Sequence, residues 1–146
     1  MATVSRPPFT FYMGGGGAPP GTDTRVFPGR AESVREARVF VAALMGHSPA
    51  AADAALLTSE LVTNAIQHAS AGGSAIVLRL ETAGGWLRIE VHDADPCEPT
   101  PRPLSVLEES GFGLVLVEAM ADKWGVRQPV KGKAVWAELD TQPAAG

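Results

Sequence analysis

Residues 74–93, which read SAIVLRLETAGGWLRIEVHD, carry the clearest structural signal in the sequence. Two β-rich runs, Ser74–Glu81 and Trp86–Asp93, flank the short connection Ala83-Gly84-Gly85. Paired glycines between such runs are typical of a β-hairpin, because glycine adopts the positive φ angles that tight turns require. The sequence therefore predicts two adjacent antiparallel strands in the middle of the chain.

Helices are predicted on both sides of this hairpin. Apolar residues recur with helical spacing over Ala31–Met45, which Gly46 ends. A second amphipathic helix is predicted from Ser48, a residue suited to cap it, to about Ala69. A short apolar helix is expected over Gly113–Asp122. Further strands are predicted over Arg25–Phe27, Lys123–Gln128 and Lys133–Asp140.

The resulting order, β-α-α-β-β-loop-α-β-β, predicts an α+β fold. We expect a two-layer α/β sandwich in which three helices cover one face of a mainly antiparallel sheet. A doubly wound dinucleotide fold is excluded, because strands and helices do not alternate as that fold requires. The predicted domain spans residues 24–140, between a flexible Gly/Pro-rich arm (1–23) and a C-terminal tail (141–146). The Pro-rich segment Asp95–Ser110 is long enough for a functional lid.

Composition narrows the class of protein. The chain has 146 residues, of which 45% are hydrophobic and 19% charged, as expected of one ordered domain. Its net charge of -4 argues against binding to nucleic acids or anionic membranes. The single cysteine, Cys97, excludes an internal disulfide and a cysteine-based zinc site. With no apolar run of about 18 residues and no secretory signal, a cytoplasmic protein is expected.

Glu60 and Asn64 are the first candidate pair for chemistry. They stand four residues apart in the second predicted helix, so their side chains emerge together, one turn above the other. A carboxylate and an amide oxygen on one helical edge can hold a hard cation or orient a nucleophile. Asn64 is expected at the border of the apolar face. The alternative is a solvated helix edge, since polar pairs often decorate amphipathic helices.

Two further features follow along the chain. Asp93 ends a strand, where a carboxylate can accept a hydrogen bond from a ligand amino group; the alternative is an Asp that begins a turn. Gly111-Phe112-Gly113-Leu114 comes directly before a predicted helix, where backbone amides can bind phosphate. A lone Gly-x-Gly is often only a turn. In this order, however, the three features describe a Mg-nucleotide pocket.

These motifs resemble those of the GHKL ATPase superfamily. More narrowly, the chain is similar to the small anti-sigma-factor serine kinases of Gram-positive bacteria, especially the stand-alone actinobacterial ones. The resemblance covers about Arg25 to Leu139. Its motifs are the N box at Ser59–Ala65 with His68-Ala69, the G1-box Asp93, the G2 box at Gly111–Leu114, and a closing hairpin over Asp122–Leu139.

The resemblance implies a role for each matching residue. Glu60 would be the base that activates the attacking hydroxyl, and Asn64 would bind the Mg²⁺ that bridges the triphosphate. Asp93 would accept the adenine amino group. Gly111, Phe112, Gly113 and Leu114 would form the phosphate-binding segment under the Pro-rich lid. The implied cofactors are therefore ATP and Mg²⁺.

The resemblance also implies a function and partners. We expect the chain to phosphorylate a serine of an anti-anti-sigma (STAS-domain) protein, to sequester a sigma factor, and to form a homodimer through its first strand and helix. Two departures favour an alternative, a catalytically weak partner-binding module. Asp95 replaces the usual G1-box glycine and places an acid near the phosphates. Ala134 stands where many relatives have Thr, which removes a hydroxyl from the adenine side.

Overall fold

The computed structural model describes residues 21–68, 75–93, 112–127 and 133–142. These ranges contain five strands and three helices. In chain order the elements are β1 (Gly21–Phe27), α1 (Glu32–Met45), α2 (Ala51–His68), β2 (Ile76–Ala83), β3 (Trp86–Asp93), α3 (Phe112–Met120), β4 (Lys123–Arg127) and β5 (Lys133–Asp140). The predicted lid and residues 1–20 of the predicted arm lie outside these ranges. Of the predicted tail, only residues 141 and 142 are described.

The five strands form one sheet in the order β1-β2-β3-β5-β4. Every neighbouring pair is antiparallel. Strand β5, the last of the described strands in the sequence, pairs with both β3 and β4. The predicted α+β architecture is confirmed. The central hairpin is confirmed as well: Gly84 and Gly85 both have positive φ angles, 54° and 85°, which suit a two-residue turn.

Strand β1 begins earlier than the sequence indicated. Residues Gly21–Asp23 were expected in the flexible arm, but Gly21 pairs with Thr82 and the ladder continues to Phe27 opposite Ile76. The reason is that backbone pairing does not require apolar side chains. Because β1 is an edge strand whose residues are exposed except for Phe27, its polar start carried no alternating pattern.

Helix α2 is the centre of the helical layer. It packs across β2, β3 and β5, while α1 and α3 pack against α2 itself. Its start is fixed by Ser48, as the sequence predicted, since the Ala50 amide donates to Ser48 Oγ at 3.2 Å. The buried core joins helix residues to alternate sheet residues; its members include Val41, Leu57, Leu61, Val117, Leu78, Ile89, Val91, Val135 and Leu139.

The sheet has a second face, which we call the outer face. Successive side chains of a strand point to opposite sides, so the residues between the core positions point away from the helices. In the two central strands β3 and β5 the outer face carries Arg88, Glu90, His92, Ala134, Trp136 and Glu138. None of the helices that the structure describes is long and apolar enough to cross a bilayer.

Candidate functional site

Asn64 is the most informative polar residue of α2. Only 2% of it is exposed, and neither atom of its amide group forms a hydrogen bond within the described part of the chain. A buried amide without partners costs about 1–3 kcal/mol, so such groups are rare, and a bound ion or a catalytic role is among the explanations for one. The sequence placed Asn64 at the border of the apolar face. The structure places it in the interior, because α1 and α3 flank α2 and widen its buried arc.

Neighbouring polar residues of α2 behave differently. Thr58 and Ser59 are also buried, but their hydroxyls donate to the carbonyl oxygens of Ala54 and Ala55, at 2.8 and 3.1 Å. These two side chains are therefore satisfied within the helix. Glu60, one turn before Asn64, is only partly buried. The helix thus presents a carboxylate and an unsatisfied amide on one edge.

Asp93 ends β3 on the side of the sheet that the helices cover. It has the same parity as the core residues Ile89 and Val91, and it pairs with Ile76 on one side and Lys133 on the other. Only residues 69–75 connect the end of α2 to the start of β2 at Ile76. Ile76, the first residue of β2 after this connection, is also the residue that pairs with Asp93.

The predicted phosphate-binding segment is described in part. Phe112, Gly113 and Leu114 form the first turn of α3, whose backbone amides have no partner within the helix itself. The dipole of a helix favours anions at this end. Gly111 lies outside the described residues, as does Asp95, so the expectations for both stay predictions.

The sheet register corrects the expectation for Ala134, which was expected on the adenine side of the pocket. Ala134 pairs with His92 on the outer face, away from Asp93. A hydroxyl at position 134 would therefore lie on the outer face, and not on the side of the sheet where Asp93 lies. The residue directly across from Asp93 is Lys133, which sequence reasoning did not single out. The sequence does carry a signal for Lys133. Side chains alternate between the two faces of a strand, so Lys133 lies on the same face as Val135 and Ala137.

Comparison with known proteins agrees with this geometry. The model of the histidine kinase-like ATPase domain matches residues 27–139. The chain therefore belongs to the histidine kinase-like ATPase domain family, and the resemblance to the GHKL superfamily is confirmed. This membership defines an ATP-using domain of the ATPase and kinase class. An uncharacterized protein of Streptomyces coelicolor is 38% identical over 87 residues, which are 58% of this chain and 83% of that protein.

Asn64 fits the group that this family binds. Domains of this kind bind ATP, usually with Mg²⁺. An amide oxygen is a hard donor of the type that Mg²⁺ prefers, and that of Asn64 is buried without a partner among the described residues. The residues present therefore suit a magnesium ion at this edge of α2.

Proposed function

We propose that this protein is a Mg-ATP-dependent serine kinase of the anti-sigma-factor type. Its substrate would be a serine of an anti-anti-sigma (STAS-domain) protein, and it would hold a sigma factor when that protein is phosphorylated. The observation that carries the proposal is the buried, unsatisfied amide of Asn64, one turn after Glu60, in a chain of the histidine kinase-like ATPase family.

Each site residue has a defined task in this proposal. Asn64 would hold Mg²⁺ through its amide oxygen, and the metal would supply positive charge to the triphosphate. Glu60 accepts the proton of the serine hydroxyl as the serine oxygen bonds to the γ-phosphorus, and the bond from that phosphorus to ADP breaks, so that ADP leaves. Asp93 accepts a hydrogen bond from the adenine amino group. The backbone at Gly111 and Gly113 supports the phosphates.

Calorimetric titration with Mg-ATP tests the pocket. Asn64→Ala and Asp93→Asn should each weaken binding by about tenfold or more, since each removes a polar contact to bound ligand. Two matched controls should bind normally. Ser59→Ala removes a satisfied buried hydroxyl from the same helix. Asp140→Asn makes the same change as Asp93→Asn at the opposite end of the sheet. No saturation of the wild type at millimolar ATP would reject the proposal.

Glu60→Gln separates kinase from pure binding. A kinase should lose phosphoryl transfer to a STAS-domain protein by a factor of about 10² or more while ATP affinity changes little, because the base acts only in the reaction. Transfer of labelled phosphate from ATP measures this. Wild-type protein that binds ATP and inhibits a sigma factor without any transfer would identify the alternative, a partner-binding module that retains the fold.

A further inference from the structure

Two charged residues interrupt the apolar side of the central strands, the side that the helices cover. In β3 and β5 every other position on this side is a buried apolar residue: Leu87, Ile89, Val91, Val135, Ala137 and Leu139. The exceptions are Asp93, the last residue of β3, and Lys133, the first residue of β5. One carboxylate and one ammonium group therefore share the same end of an otherwise apolar surface.

The sheet register places Asp93 and Lys133 directly opposite each other. In an antiparallel pair the Cβ atoms of opposite residues lie about 4.5–5.5 Å apart, so their side chains are neighbours on one face. On its other side Asp93 stands opposite Ile76, which is fully buried and apolar. Within this row of three strands, the charged neighbour of Asp93 is therefore Lys133.

The ammonium group of Lys133 does not extend into solvent. Its Nζ atom is buried, although the residue as a whole is partly exposed. Lysine more often covers apolar surface with its stem and keeps its charged head in water. A buried ammonium is tolerated where carboxylates or other acceptors lie near it. Lys133 is thus a hydrogen-bond donor held on the side of the sheet where Asp93 lies.

A carboxylate alone reads one feature of a purine base. Ionised Asp93 is only an acceptor, which suits the 6-amino group of adenine in the proposed function. A 6-oxopurine such as hypoxanthine presents an acceptor oxygen at that position, with a ring N–H beside it. A lone carboxylate would leave this oxygen without a donor, and a polar site strongly rejects such a mismatch.

Lys133 changes this selectivity, because an ammonium adds donors beside the acceptor. With adenine, Asp93 accepts from the 6-amino group and Lys133 donates to ring nitrogen N1. With hypoxanthine, Lys133 donates to the 6-oxo oxygen and Asp93 accepts from the N1–H group. We propose that Lys133 sets the base selectivity of the nucleotide site, so that the protein takes 6-oxopurine nucleotides as well as ATP. This inference rests on the proposed function, which places the base at Asp93.

Calorimetric titration with Mg-ATP and Mg-ITP tests the proposal. ITP carries the 6-oxo group and N1–H in place of the 6-amino group and N1, and it lacks the 2-amino group of GTP. The wild type should bind ITP within about tenfold of ATP. Lys133→Met keeps an unbranched stem and removes the ammonium, so it should weaken ITP binding by at least about tenfold more than ATP binding.

Lys123→Met is the matched control. It makes the same substitution, with the same change in net charge, at an exposed lysine whose pairing with Glu138 places it toward the opposite end of the sheet. It should leave the ratio of the two affinities unchanged. An equal loss of ATP and ITP affinity in Lys133→Met would overturn the proposal, since Lys133 would then serve only an ion pair or attract the triphosphate.

The wild-type comparison needs no variant, so it tests the proposal even if Lys133→Met does not fold. A wild type that binds ATP and discriminates against ITP by more than about tenfold would overturn this inference and leave the proposed function standing. A wild type that binds neither nucleotide would reject both.

Discussion

Asn64 imposes an energetic cost on the ligand-free protein. Its amide loses hydrogen bonds to water on folding and regains none within the described chain. The nearby Thr58 shows the ordinary solution, a hydroxyl bonded to the carbonyl of the preceding turn. We interpret the difference as a binding site that is kept at the expense of stability, a recurrent feature of functional positions.

Replacing Asn64 with Leu should therefore stabilise the ligand-free protein by about 1 kcal/mol, because the volume is kept and the unpaired amide is removed. Urea unfolding measures the effect. Mg-ATP should stabilise the wild type and not this variant, as ligand binding to the folded state requires. Thr58→Val is the matched control and should not stabilise, since it removes a satisfied hydroxyl. Loss of stability in Asn64→Leu would show that the amide has a partner in the fold.

Glu90 makes stability depend on pH. Burial alone raises the pKa of Glu90, but hydrogen bonds from His92, Arg127 and Arg88 outweigh it and hold the pKa well below its usual value. The unfolded chain therefore takes up this proton first as the pH falls. The stabilisation is complete above the usual pKa of about 4.5 and is lost progressively below it.

The corresponding prediction compares two glutamate variants. Between pH 5 and pH 3, the wild type should lose on the order of 1 kcal/mol more unfolding free energy than Glu90→Gln, which has no carboxyl to titrate. Glu81→Gln, which makes the same change at a glutamate of the neighbouring strand β2 paired with Arg79 at 2.7 Å, is the matched comparison. Parallel profiles for wild type and Glu90→Gln would contradict the assignment.

Among the elements, the β2–β3 hairpin depends most on a single residue type. Gly85 has φ +85°, and a Cβ there would lie 2.6 Å from Gln142 Nε2. Gly85→Ala should cost about 1–2 kcal/mol in thermal or urea unfolding, from backbone strain. Pairing it with Gln142→Ala removes the steric contact and should leave most of the cost. Gly84→Asn is the comparison, because Asn tolerates positive φ in such turns and should cost less.

The helices and strands also show which parts of the fold can be predicted from the sequence. The hairpin and the helices follow from local signals, such as Gly84-Gly85 and the cap at Ser48, so they were predicted nearly to the residue. The burial of Asn64 was missed because it depends on where α1 and α3 pack. The outer-face network was missed because charged residues at alternate positions of β3 indicate a solvent face. Arg88, one of these residues, contacts Trp136 and Glu138, which are about 50 residues away in the chain.

At the scale of the whole molecule, self-association stays a prediction. Edge strand β1 exposes Val26, and α1 exposes Val39 and Leu44, in keeping with the predicted dimer contact. Val39→Glu should shift light-scattering mass from dimer toward monomer, because the charge would be buried in the contact. Val115→Glu, an equally exposed apolar position on α3, should not. A wild type that is monomeric at all concentrations would reject the prediction.

The position of β5 has a consequence for how the protein is made. Strand β5 leaves the ribosome after β3 and β4, the two strands between which it lies. Until residues 133–140 are released, β3 presents an unpaired edge that another chain can pair with. The sheet therefore closes only after residues 133–140 have emerged. A nascent chain that stalls before Lys133 carries an open sheet edge, which exposes it to aggregation.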